Sequence, residues 1–145
     1  MSLLADVYHR RGAWIVGPLA RMRNGPSVTI DSFVRLPDTI SYAELADEVR
    51  SALLRSRVIP DINLRETELP PSPVLAAAGV KSFTTFHRGA RLVAVSTDGV
   101  VIKLIPTAND GPRCGFAHLE PITVPETATP DELGEAIERA IALCK

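Results

Sequence analysis

The stretch RLVAVSTDGVVIKLI, Arg91 to Ile105, decides the fold. Asp98 and Gly99 both tolerate the positive φ that a two-residue type I′ turn demands, so the sequence predicts a β-hairpin with Thr97 opposite Val100. The register then places Val95 against Ile102 and Val93 against Leu104, with Ala94 against Lys103 and Leu92 against Ile105 on the other side. One face is wholly aliphatic and the other mixed, the pattern of a hairpin that buries one side against helices. A one-residue slip would scramble the two faces, so the assignment of residues to faces is well specified.

Downstream, Asn109-Asp110-Gly111-Pro112 is turn chemistry, and residues 116 to 124 read as a strand interrupted by Pro121, hence edge or bulged. Thr129-Pro130-Asp131-Glu132 then forms a capping box with proline at the first helical position. Leu133, Ala136, Ile137, Ala140 and Ile141 continue as one apolar stripe, so a helix is expected at about 130–144.

Upstream, Ser72-Pro73 starts a short helical turn that Gly79 ends. Prolines 60, 70, 71 and 73 make residues 58 to 73 a polar loop, long enough to suggest a functional or mobile segment. Ser41 and Glu44 make another capping box before Leu45, Val49, Ala52 and Leu53, which predicts a helix at about 42–57. A run at Ala13 to Val16 and another at Ser27 to Leu36, separated by Asn24-Gly25-Pro26, read as a second hairpin. The expectation is an α/β (α+β) fold: a mainly antiparallel sheet including the Asp98-Gly99 hairpin, packed by the two helices, in one domain over residues 1–145.

Lysine plus arginine number 16 and aspartate plus glutamate 17, so no field of one sign steers the chain onto nucleic acid or an anionic membrane. Arg10, Arg11, Arg21 and Arg23 do cluster around Trp14. A phosphate-contacting patch is one reading, and a solvated strand face, balanced by acids elsewhere, is the simpler one. No apolar run reaches the roughly 18 residues of a membrane span, and the N-terminus lacks the order of a signal peptide. A cytoplasmic location with Cys114 and Cys144 as free thiols is expected.

Motifs for chemistry are sparse. Cys114 and His118 stand four apart, but neither a second ligand pair for zinc nor an orienting partner for thiol catalysis accompanies them. No GxxxxGK[ST] or GxGxxG loop is present, so no cofactor is expected. Asp131, Glu132, Glu135 and Glu138 lie on the first turns of a helix, where they complement its dipole. Phe83, Phe86 and Phe116 read as core.

Four segments, AGVKSFTTF (Ala78 to Phe86), RGARLVAVSTDG (Arg88 to Gly99), PTANDGPRCGFAHL (Pro106 to Leu119) and ATPDELGEAIERAI (Ala128 to Ile141), resemble in order and spacing the immunity proteins of bacterial contact-dependent growth inhibition (CDI) systems. The resemblance implies a non-enzymatic cytoplasmic protein that binds, one to one, the C-terminal toxin domain of a CdiA-type effector, commonly a nuclease. A nuclease's basic cleft would attract carboxylates, which makes Asp61, Glu66, Glu68, Asp110 and Glu120 the candidate toxin contacts. Two other classes stay open: a small enzyme using Cys114 and His118, and a general protein-interaction module offering an unpaired sheet edge.

Overall fold

The computed structural model describes residues 2–63 and 72–145. Along the chain run β1 (Leu3–Arg10), β2 (Ala13–Pro18), β3 (Ala20–Met22), β4 (Ser27–Val28), β5 (Val34–Pro37), α1 (Tyr42–Arg55), β6 (Arg57–Ile59), α2 (Pro73–Ala78), α3 (Phe83–His87), β7 (Arg91–Thr97), β8 (Val101–Asn109), β9 (Phe116–His118), β10 (Ile122–Pro125) and α4 (Pro130–Leu143). The large sheet has the order β10-β8-β7-β1-β2-β5, with β9 also paired to β8, and every pairing in it is antiparallel. A second sheet of order β4-β3-β6 contains the parallel pair β3–β6.

The expected hairpin forms between β7 and β8, but its register differs from the expectation by two residues. Thr97 faces Ile102 and Val95 faces Leu104, so four residues form the loop. Gly99 has φ +91°, whereas Asp98 is not in the left-handed region, so the type I′ requirement is unmet. Asp98 instead turns its carboxylate onto the loop and accepts from the N–H groups of Val100 (2.9 Å) and Val101 (3.0 Å), while the Thr97 hydroxyl accepts from Gly99 N–H. These side-chain bonds satisfy the donors that a tighter turn would have paired. Because the shift is even, the faces survive: Val93, Val95, Ile102 and Leu104 are all buried.

A two-residue turn of type I′ character does occur, at Arg11-Gly12, where φ is +49° and +73° and Arg10 pairs with Ala13. It joins β2 to β1, a strand the sequence did not reveal because Asp6 and Arg10 interrupt its apolar pattern. The expected pairing of Ala13–Val16 with residues 27–36 forms in part: β5 pairs antiparallel with β2, Trp14 facing Leu36, whereas β4 pairs with β3, so the two runs are not a simple hairpin. Arg10 is no part of a solvated face. It is buried, with Nε donating to Phe86 O (3.0 Å) and Nη2 to Thr85 O (3.1 Å), which satisfies carbonyls at the end of α3.

Both expected helices form, each shorter at its C-terminus. α1 stops at Arg55 because Ser56 turns extended, accepting from Leu4 N–H and donating to Leu19 O, and this draws Arg57 into pairing with Ala20. α4 ends at Leu143. Cys144 is its C-cap, a buried free thiol donating to Leu92 O, and the Lys145 N–H then donates to Thr107 O. Pro121 divides the expected strand at 116–124 into β9 and β10, both carried by β8.

The large sheet is covered on both faces. Ala5, Val7, Trp14, Val93, Val95, Ile102 and Leu104 pack on α1 and α4, while Tyr8, Ile15 and Leu92 pack with Phe33, Val74 and Phe86 on the α2/α3 side. The helices α1 and α4 touch at a glycine: a Cβ at Gly134 would sit 2.3 Å from Tyr42 O. Gly134→Ala should therefore destabilise the chain by about 1–3 kcal/mol in a denaturant melt, against the helix propensity that would favour alanine. A stabilised variant would show that the two helices have room to separate.

Candidate functional site

One end of the sheet carries an exposed surface held rigidly from beneath. α3 is a single turn, started by Ser82, whose hydroxyl accepts from Thr85 N–H. Asn109, at the end of β8, clamps it: Nδ2 donates to His87 O (2.7 Å) and Ala90 O (3.0 Å), while Oδ1 accepts from Gly111 N–H. The His87 ring stacks on Phe116 at 4.7 Å, and Phe116 and Phe86 both meet the edge-oriented ring of Tyr8. The turn after β8 is closed by Asp110 N–H donating to Gly115 O (2.9 Å). Between this turn and α3 lies a cleft of about 320 Å³ lined by Thr84, His87, Arg88, Gly111 and Pro112.

Phe83, on α3 one turn before His87, is 50% exposed. The expectation that it belongs to the core is corrected: Phe86 occupies the inward position, and five residues are too few for any periodicity to tell the two apart. An exposed aromatic beside a cleft is the kind of side chain that anchors protein interfaces. Asp110 is exposed in the turn that forms the far wall of that cleft.

The other candidate acids are scattered. Glu120 is exposed on the segment between β9 and β10, where Leu119 N–H donates to Pro106 O. Asp61 lies at the opposite end of the sheet, separated from Asp110 by the length of β1, roughly 25 Å. Its carboxylate accepts from Asn24 N–H (2.8 Å) and Asn24 Nδ2 (3.3 Å), tying the chain after β6 to the β3–β4 turn. Glu66 and Glu68 lie outside the described residues. Cys114 and His118 are both exposed, and among the described residues no hydrogen bond joins them and no three metal-ligating side chains cluster.

Asp6 is the most perturbed carboxyl group among the described residues. It sits in central strand β1, opposite Gly17 and Ala94, and is buried with a hydrogen bond to the Tyr8 side chain. Burial pushes its pKa up to about 7, partly opposed by that hydrogen bond, and the Tyr8 hydroxyl is held well above its ordinary value by burial and by Asp6. Asp6 is buried on the Tyr8 face of the sheet, so it bears on stability.

The model of a family described as CDI immunity protein (CdiI) matches residues 29–144. No curated protein sequence matches the chain. Solved structures that share the fold include the following two. A protein of unknown function from Neisseria meningitidis (NMB0488) superposes with a TM-score of 0.80 at 14% identity, covering 100% of this chain and 96% of that one. A chain of the CdiA-CT/CdiI toxin and immunity complex from Yersinia pseudotuberculosis superposes at 0.76 and 15% identity, covering 100% and 98%.

The elevated pKa of Asp6 fixes the sign of a pH effect. Its stabilising contribution is complete below the unfolded value near 3.8 and is lost as pH rises through about 7, by at most about 4 kcal/mol. Asp6→Asn should remove the fall in stability between pH 4 and 7 measured by urea unfolding. An unchanged slope would assign that fall to other groups.

Proposed function

We propose, on the premise that this chain belongs to the CDI immunity protein family, that it binds the C-terminal toxin domain of a CdiA-type effector and keeps it inactive in the cytoplasm of the cell that makes both. Support for this reading comes from the family and from one surface: exposed Phe83 on α3, whose Thr84 and His87 line a cleft against Gly111 and Pro112 of the turn that follows β8. Few toxin molecules can be left unbound in such a cell, which calls for nanomolar affinity, about 12 kcal/mol. An interface of that strength buries roughly 1,600 Å² around a few anchors. Phe83 is the anchor, and Asp110 and Glu120 carry the charge that a nuclease's basic cleft would attract. The Asn109 clamp and the His87–Phe116 stack hold this surface in place before binding, which lowers the ordering cost of association.

Asp61 is a weaker candidate, because its carboxylate is engaged by Asn24. A one-to-one complex suffices and no cofactor is required.

The test is calorimetric titration of the chain with the toxin domain encoded immediately upstream. Phe83→Ala is expected to weaken binding by about 30-fold, near 2 kcal/mol, and Asp110→Lys by about tenfold. Absence of any complex would overturn the toxin reading itself. A tight complex indifferent to both substitutions would overturn only the choice of surface.

A further inference from the structure

A second cleft, about 250 Å³, opens where the Arg11-Gly12 turn meets the end of α2. Arg10, Arg11 and Arg35 line it, together with Ala13, Ile15 and Gly79. The three guanidinium groups come from different elements. Arg10 ends β1, Arg11 begins the turn, and Arg35 is brought alongside by pairing of β5 with β2, opposite Ile15. Arg35 reaches over the helix end, since a Cβ at Gly79 would stand 3.9 Å from its Nη1.

Among the described residues none of the three forms an ion pair. The acid nearest along the chain, Asp38, is taken by His9 at 2.8 Å, beside Trp14 on the α1/α4 side of the sheet. Arg10 spends Nε and Nη2 on the uncharged carbonyls of Phe86 and Thr85. Burial, followed by the charges of Arg11 and Arg35, holds its pKa below the ordinary value, so the like charges act on one another.

The backbone supplies a further sign. Arg11 is the one non-glycine residue with positive φ among the described residues, in a turn position that asparagine, aspartate or glycine would occupy with less strain. A strained residue that brings a third positive charge to an unneutralised cleft points to a ligand.

We propose that this cleft is a phosphate-binding site that takes the phosphate group of inorganic phosphate or of a nucleoside monophosphate. Phosphate fits the charge better than a carboxylate does, because it brings close to two negative charges to three positive ones, and guanidinium forks match its oxygens. The phosphate site does not require the toxin reading.

The experiment is a ¹H–¹⁵N titration of the full chain with sodium phosphate, and separately with adenosine monophosphate, at ionic strength held constant with sodium chloride. The amides of Arg11, Gly12, Gly79 and Val80 are expected to shift along a saturating curve. The double variant Arg11→Asn, Arg35→Gln should bind about tenfold more weakly or worse, with the turn intact because asparagine accepts a positive φ. Arg23→Gln, outside the cleft, should match the parent. Tighter binding of the nucleotide would identify a phosphorylated small molecule as the ligand, and equal or weaker binding would identify the free anion. Shifts that grow linearly without saturation, or a double variant with parental affinity, would overturn the proposal.

Discussion

The antiparallel pairing of β1 with β7 is the constraint on which the rest depends. It joins the first ten residues to a hairpin more than eighty residues later and completes a continuous large sheet. β1 is central, with Ala5 and Val7 buried beneath α1 and α4 and Tyr8 buried on the α2/α3 side. Such a strand, flanked on both sides, satisfies its backbone through its neighbours, and β2 and β7 supply those bonds. The cost of closing so long a loop is offset by apolar burial on two faces. Arg10 extends the same linkage to α3 through the Phe86 and Thr85 carbonyls.

This organisation explains which parts of the fold were legible in the sequence. The two long helices announced themselves through local chemistry, the Ser41 and Thr129 caps and the stripes behind them. The faces of β7 and β8 were legible because alternation is a local property. Their register was not, because Asp98 and Thr97 satisfied loop donors with side chains. β1 was hidden for a tertiary reason: Asp6 and Arg10 look like surface residues until the sheet and α3 close over them. Cases like these are where local propensity yields to tertiary context.

The candidate site was legible only in part. Asp110 was a candidate from turn chemistry and charge, and it lies in the turn whose Gly111 and Pro112 line the α3 cleft. Phe83 was not, because nothing in a five-residue helix distinguishes an outward phenylalanine from the inward Phe86. Asp61 and Asp110 looked equivalent as loop acids. The structure separates them by the length of β1 and binds one of them to Asn24. The family relation covers residues 29–144, while the shared fold extends through β1 to the whole chain. A scaffold closed by non-local pairing can keep its form while exposed positions change.

In the proposed function the α3 and β8–β9 end of the fold receives a toxin domain. Hydrogen–deuterium exchange on the chain, with and without the toxin domain encoded immediately upstream, tests it most directly. Added protection is expected in residues 82–88 and 110–121, with α1 and α4 unchanged. Protection confined to α1 and α4, or none anywhere in the presence of excess toxin domain, would contradict it.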